Sequence, residues 1–225
     1  GRAVFDNIRK FLAYILSSNI PEIVPYLAFV LARIPLPLTI VQILAVDLGT
    51  DMLPALALGA EAPAPDTMRR PPRPRHERLL NASLLARAYL WLGMLEAIAA
   101  LAAYFFVLDA GGWRYGEALA ARDPLYLQAT SACLAAIVVA QVVNVFLCRD
   151  PVRSAFSFGL ASNPLILWGI GFELALLAAI VYTPWGQELF GTAALPLEVW
   201  LYVLPFAAAM FALEEGRKLL RRAFL

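Results

Sequence analysis

The chain has 225 residues, of which 61% are hydrophobic and only 16% are charged, and its formal net charge is +1. This composition excludes an ordinary soluble domain, and we expect no nucleic-acid partner. The two cysteines, Cys133 and Cys148, lack the paired spacing of a zinc site or a disulfide framework, so we interpret both as packing residues.

The apolar residues lie in six blocks, each close to the ~20 residues that a helix needs to cross the hydrocarbon layer. We therefore predict an all-α, polytopic membrane protein with six transmembrane helices in three hairpins, forming one domain over residues 1–225. The predicted helices are 12–32, 36–58, 84–108, 127–147, 165–184 and 195–213. The first hairpin turns through the short, proline-bearing segment 33–37, so its two helices should lie side by side.

Most basic residues fall on one side of these helices, and only Arg33, Arg114 and Arg122 fall on the other. Short loops rich in Lys and Arg stay in the cytoplasm, so both termini are predicted to be cytoplasmic. The long loop 59–81 carries five prolines and several arginines, which favours extended, solvated backbone. It is either a docking segment or a solvated linker.

Three carboxylates fall inside the first two predicted helices, where an ionisable group is costly unless it meets water, a partner or an ion. Glu22 shares a helical face with Ser18, and Asn19 flanks that face. Asp47 and Asp51 are one turn apart on the second helix, where the predicted site also includes Thr50.

Carboxylates crowded in a low dielectric require a cation or protons to neutralise them. The donors here are all oxygens, which suits sodium, potassium, calcium, magnesium or protons better than a soft metal. Pro21 and Pro54 each free a backbone carbonyl four residues earlier, at Ser17 and Thr50, and Gly49 permits local unwinding. The combination predicts a cation site shared by the first two helices.

Later helices carry secondary candidates. Gln141 and Asn144 could complete the ligand shell or could simply form interhelical hydrogen bonds. Glu96 and Glu173 could mark a proton path or a second ion site, or could be neutralised interface residues. The charged segment 214–218 is interpreted as a solvated face at the membrane edge.

The sequences SNIPE at 18–22 and DLGTDMLPA at 47–55 resemble the ion-binding helices of type II P-type ATPases. The opening segment 1–10 resembles the stalk that enters their fifth transmembrane helix. Segments 68–73 and 214–218 resemble the loop after their sixth helix and the end of their tenth helix, so the likeness covers essentially the whole chain. The Pro-Glu pair at 21–22 and Asp47 are closer to sodium/potassium and proton/potassium pumps than to calcium pumps, whereas Asn144 resembles the calcium-pump residue.

The resemblance implies ATP-driven cation transport by alternating access in a complete pump. It implies cation (metal) ligands at eight positions: Ser18, Asn19, Glu22, Asp47, Thr50, Asp51, Gln141 and Asn144. It implies no catalytic residue and no bound cofactor in this chain, because the phosphorylation, nucleotide-binding and actuator motifs of the family are not in this sequence. ATP and Mg²⁺ would act only through the pump's other domains.

The partners expected from the resemblance are the lipid bilayer, the transported cation (Na⁺, K⁺, Ca²⁺ or H⁺) and the N-terminal and cytoplasmic domains of a P-type ATPase. The expected location is the plasma membrane. The chain would then be a fragment or a separately encoded half of a pump. The alternative is a non-catalytic membrane subunit that keeps the pump fold for interaction or regulation; a passive channel is a third hypothesis.

Overall fold

The computed structural model describes residues 1–63, residue 67 and residues 78–224. In this part of the chain six helical segments are long and apolar enough to cross a membrane. They are Arg2–Ala32, Ile40–Gly59, Ala82–Ala110, Pro124–Leu147, Pro164–Tyr182 and Leu197–Ala223, called here the first to sixth spans. The predicted six-span, all-helical membrane fold is confirmed. Most of the loop 59–81, predicted to be either a docking segment or a solvated linker, lies outside the described residues.

The first three spans are each interrupted, whereas the last three are each one continuous helix. The first contains α1 (Arg2–Ser18) and α2 (Ile20–Ala32), and the second contains α3 (Ile40–Leu44), a π-helical turn (Ala45–Thr50) and α4 (Met52–Gly59). The third contains α5 (Ala82–Leu85), a π-helical turn (Ala86–Gly93) and α6 (Met94–Ala110). The others are α7 (Pro124–Leu147), α8 (Pro164–Tyr182) and α10 (Leu197–Ala223), with the short α9 (Pro184–Phe190) between the last two.

Local sequence explains the tight turn between the first two spans. Arg33 follows the last residue of α2, and its left-handed φ of 51° stops the helix. Thr39 precedes α3 and caps it. The Thr39 side chain accepts a hydrogen bond from the Gln42 backbone N–H, and the Gln42 side chain accepts one from the Thr39 N–H. The two helices are thus held next to each other by a short connection.

Helix α7 is the centre of the bundle, with contacts to α1, α4, α6, α8 and α10. Its closest neighbour is α6, and the buried faces of the two helices are rich in alanine. The fully buried alanines are Ala97, Ala100 and Ala103 on α6 and Ala129, Ala132, Ala135 and Ala136 on α7. Small side chains allow two membrane helices to approach closely and gain dispersion contacts that lipid does not replace.

Hydrogen bonds hold the fifth and sixth spans together near the segment that connects them, but along their lengths the two spans pack against different helices. The Tyr182 hydroxyl donates to the Leu195 carbonyl oxygen at 3.0 Å, and the Trp200 indole N–H donates to the Tyr182 hydroxyl at 2.7 Å. Along their lengths, α8 packs on α4 whereas α10 packs on α6 and α7. The fifth span therefore lies next to the second, which carries predicted site residues.

The interpretation of segment 214–218 as a solvated face is wrong, because Glu214 and Lys218 are fully buried. Arg87 donates from Nε and Nη2 to Glu214 Oε1 at 2.9 and 2.7 Å, and the Trp91 indole N–H donates to Oε2 at 2.9 Å. Arg217 donates to both Glu214 oxygens at 2.6 and 2.7 Å. This Glu214 cluster ties the third span to the end of the sixth.

A second polar cluster, around Glu61, ties the first span to the end of the second. Lys10 Nζ donates to Glu61 Oε2 at 2.9 Å, and Arg149 Nε donates to Glu61 Oε1 at 2.6 Å. Asn7 Nδ2 donates to the Glu61 backbone oxygen at 2.6 Å. The cavity beside this Glu61 cluster is lined by both Ala3 and Arg221, so the two ends of the chain lie on the same side of the bundle.

Gly93 marks a close approach between the third span and the break in the first. A Cβ atom at Gly93 would lie 2.8 Å from the Ser17 backbone oxygen and 2.6 Å from the Ile20 Cβ atom. We expect Gly93→Ala to lower the free energy of unfolding by about 1–3 kcal/mol, because backbone must shift to admit the methyl group. Thermal unfolding of the detergent-purified protein measures this effect.

Gly171 supplies the matched control for that substitution. It lies on an exposed face of α8, and a Cβ atom there would meet nothing within 4 Å. Gly171→Ala should be neutral or should stabilise α8 by up to about 1 kcal/mol. Equal destabilisation by the two substitutions would contradict the close approach at Gly93.

Candidate cation-binding site

The predicted residues of the first span lie at the break between α1 and α2. Helix α1 ends at Ser18, Asn19 lies between the helices, and Pro21 is in the first turn of α2. Ser18 is 1% exposed and donates to the Ile15 carbonyl oxygen at 3.0 Å, whereas Asn19 is partly exposed. Glu22 is 8% exposed, and its Oε1 atom makes no hydrogen bond within the described chain.

The predicted residues of the second span surround a wide helical turn. The Asp51 N–H donates to the Val46 carbonyl oxygen, five residues earlier, at 3.0 Å, and such π-helical turns occur frequently at functional sites. The Thr50 hydroxyl also donates to Val46 O, at 3.1 Å. Pro54 follows at the third position of α4 and cannot donate to the Thr50 carbonyl. The predicted local irregularity at this point is therefore present in the structure.

The carboxylates of these two spans interact electrostatically. The principal charges acting on Glu22 are those of Asp47 and Asp51. Asp51 is 1% exposed, and neither of its carboxylate oxygens makes a hydrogen bond to a described residue. Asp47 is only partly buried. Of these three acids, Glu22 and Asp51 are thus buried by the fold, whereas Asp47 stays partly exposed.

Close packing of the fifth span holds the second span in place here. A Cβ atom at Gly169 would lie 3.0 Å from the Pro54 nitrogen, and one at Gly49 would lie 2.6 Å from the Leu176 Cδ2 atom. Glycine on each helix allows α8 to contact the backbone around Asp51 directly. The position of the Asp51 carboxylate is therefore supported by packing as well as by the turn itself.

The two predicted residues of the fourth span are fully buried but differ in their contacts. Asn144 Nδ2 donates to the Ser17 hydroxyl at 2.7 Å, and the Cys148 thiol donates to Asn144 Oδ1 at 3.3 Å. Asn144 thus makes the interhelical hydrogen bond that was the alternative to ligand binding. The amide oxygen and nitrogen of Gln141 make no hydrogen bond to any described residue.

Tyr14 is a member of this polar region that the sequence analysis missed. Its ring is fully buried and its hydroxyl makes no hydrogen bond with the described residues. The acids that act on it electrostatically are Asp51, Glu173 and Glu96. Tyr14 precedes Ser18 by four residues, so the helical repeat that placed Ser18 and Glu22 on one face also places Tyr14 there.

The geometry limits how an ion could be held. Among the described residues, no three Asp, Glu, His or Cys side chains converge closely enough to hold one metal ion. Carboxylate oxygens of Glu22 and Asp51 are nevertheless buried without a hydrogen-bond partner among the described residues. Burying a carboxylate without a partner is costly, which makes these acids candidates for binding a cation or a proton.

Comparison with known proteins assigns the chain to a family. The sequence matches the model of the family "Cation transporting ATPase, C-terminus" over residues 35–220. The chain belongs to this family, and the resemblance to the C-terminal region of type II P-type ATPases is confirmed. It is an integral, multi-pass membrane protein.

Relatives that match the chain include sodium/potassium-transporting ATPases. The chain is 35% identical to subunit alpha-2 of Gallus gallus, with 100% of the chain and 24% of the relative covered. It is 37% identical to subunit alpha of Drosophila melanogaster over 97% of the chain and 23% of the relative, and 35% identical to human subunit alpha-3 over 99% and 24%. The chain thus spans about a quarter of the length of these relatives.

Proposed function

We propose that this chain is the ion-binding and ion-translocating membrane segment of an ATP-driven P-type pump for a hard cation such as Na⁺, K⁺, Ca²⁺ or H⁺. The observation that carries the proposal is that Glu22 and Asp51, at the breaks of the first two spans, are both buried, and each has at least one carboxylate oxygen that makes no hydrogen bond to a described residue. Family membership and the sodium/potassium-transporting relatives support it.

The proposed ligands are the eight residues predicted from the sequence, with Ser18, Glu22 and Asp51 at the centre. These three are buried and lie at irregular turns of two adjacent spans. A break in a helix exposes backbone carbonyl oxygens, which complete the coordination of an ion within the membrane. Ser18 and Thr50 each donate the hydroxyl proton to a backbone carbonyl, which leaves the oxygen lone pairs available to an ion. Both amide atoms of Asn144 are engaged in hydrogen bonds, so its contribution requires a rearrangement.

In this proposal the chain neither binds nor hydrolyses ATP itself. The other domains of a P-type ATPase bind ATP and Mg²⁺ and push on α1. The Glu61 cluster fastens α1 to the end of α4, so the cytoplasmic ends of the first two spans move together. Flexing at Asn19 and at the π-helical turn then changes the geometry around Glu22 and Asp51 and alternates access between the two sides.

The proposed orientation places both termini in the cytoplasm of a cell whose plasma membrane the chain spans. The basic residues on that side support this orientation. The common cavity lined by Ala3 and Arg221 supports placing both termini on one side.

Transport by the complete pump in vesicles tests the proposed function. We expect ATP-driven uptake of ²²Na⁺, ⁸⁶Rb⁺ (as a K⁺ substitute), ⁴⁵Ca²⁺ or protons, and we expect Glu22→Gln to raise the half-saturating ion concentration about tenfold. This is the effect of losing one charge-assisted ligand of about 1.5 kcal/mol. Exposed Glu198 provides the control: Glu198→Gln should leave the value unchanged. ATP-independent flux, or no transport of any of these ions, would contradict the pump.

A further inference from the structure

Two acids outside the proposed site, Glu96 on α6 and Glu173 on α8, are fully buried in the membrane region. None of their carboxylate oxygens makes a hydrogen bond to a described residue. The strongest charges acting on Glu173 are Asp51 and then Glu96. An acid that only supported packing would be expected to have a hydrogen-bond partner, because leaving a buried polar atom unpaired is costly.

The fold brings Glu96 directly to the break in the first span. The π-helical turn of the third span ends at Gly93, which lies against Ser17 and Ile20 with no space for a side chain. Glu96 follows less than one turn later, in the first turn of α6. The charges of Asp51 and Glu22 act on Glu96, and the Asn144 side chain lies beside it. Glu96 is therefore near the central acids of the proposed site.

Neutral oxygens lie in the same region. The Tyr14 hydroxyl is buried, and its oxygen makes no hydrogen bond to a described residue. The charges of Asp51, Glu173 and Glu96 act on it, with Asp51 first. A phenolic oxygen without a partner close to these acids is available as a neutral ligand beside them.

We propose that Glu96 is a ligand of the transported cation, supplying a carboxylate from the third span. This inference rests on the proposed function. The ligand class is a hard cation, because the groups gathered here are carboxylates, the Tyr14 hydroxyl and backbone carbonyls, which offer only oxygen donors.

Ion-dependent thermal protection of the complete, detergent-purified pump tests the role of Glu96. NaCl, KCl and CaCl₂ are each titrated at constant ionic strength set with choline chloride, and the half-saturating concentration for protection is recorded. For each salt that protects the wild-type pump we expect Glu96→Gln to raise this concentration at least tenfold and Glu96→Asp to raise it less. Glu188, an exposed acid of α9, is the matched control, and Glu188→Gln should leave the value unchanged.

A purely structural role for Glu96 predicts a different result. Glu96→Gln would then lower the unfolding midpoint in choline chloride alone and leave the half-saturating concentrations within twofold of the wild type, which would overturn the proposal. Failure of all three salts to protect the wild-type pump would overturn the proposal as well. If Asp51→Asn changes ion affinity and Glu96→Gln does not, only the role of Glu96 fails. If neither does, the proposed function fails as well.

Discussion

Asp51→Asn in the complete pump is expected to raise the half-saturating cation concentration for transport by about 10- to 100-fold, the effect of losing one charged ligand worth about 1.5–3 kcal/mol. Asp51 should be the most sensitive position because it is 1% exposed and neither of its oxygens is engaged elsewhere in the described chain. Asparagine keeps the shape and one neutral oxygen but removes the negative charge. Radiotracer uptake into vesicles measures the change.

The same substitution should leave the fold intact. In the absence of transported cation, Asp51→Asn should unfold at the wild-type temperature or above it, because an amide is less costly to bury than an unpaired carboxylate. Asp109, at the exposed far end of α6, is the control, and Asp109→Asn should change neither ion affinity nor stability. Wild-type ion affinity in Asp51→Asn would remove this residue from the site.

Glu214→Gln is expected to lower stability and to leave ion affinity unchanged, which is the reverse of Asp51→Asn. The loss of stability should be about 3–5 kcal/mol, as found when one partner of a buried ion pair is removed. Glu214 is fully buried and accepts hydrogen bonds from Arg87, Trp91 and Arg217. Glutamine cannot balance the charge of either arginine, so Arg87, which is nearly buried, would be left without its counter-ion. Thermal or denaturant unfolding in detergent measures the effect.

An exposed glutamate of the same helix, Glu198, is the control for this substitution. Glu198→Gln should change the unfolding free energy by less than about 0.5 kcal/mol, as surface substitutions usually do. The surviving folded fraction of Glu214→Gln should bind cation with wild-type affinity, since the Glu214 cluster is not part of the proposed site. A stability close to that of the wild type would show that the cluster contributes little.

Much of the fold could be predicted from the sequence because the requirements of a bilayer are simple. Each span needs a long apolar run, and the prolines and glycines at 21, 49 and 54 indicated where the first two spans are irregular. The residues at 18–22 and 47–51 were predicted correctly to lie at these irregular turns. Their role as ligands stays a prediction.

Features that depend on packing between distant segments could not be predicted in the same way. The charges at 214–218 look solvated in sequence because their partners, Arg87 and Trp91, are more than 120 residues away along the chain. Tyr14 shares the helical face of Ser18 and Glu22, but an aromatic residue there looks like ordinary packing until the fold buries its hydroxyl without a hydrogen-bond partner among the described residues. The π-helical turn that ends at Gly93 has no evident signal in the sequence.

The distribution of helix interruptions divides the bundle into two parts with different mechanical properties. The first three spans each contain a joint, at Asn19 or at a π-helical turn, whereas α7, α8 and α10 run without interruption. Bending is cheapest where backbone hydrogen bonding is already irregular. The last three spans can therefore act as a rigid frame while the first three spans bend at their interruptions. A force applied at one end of α1 then changes the helix angle next to the acids and does not deform the whole bundle.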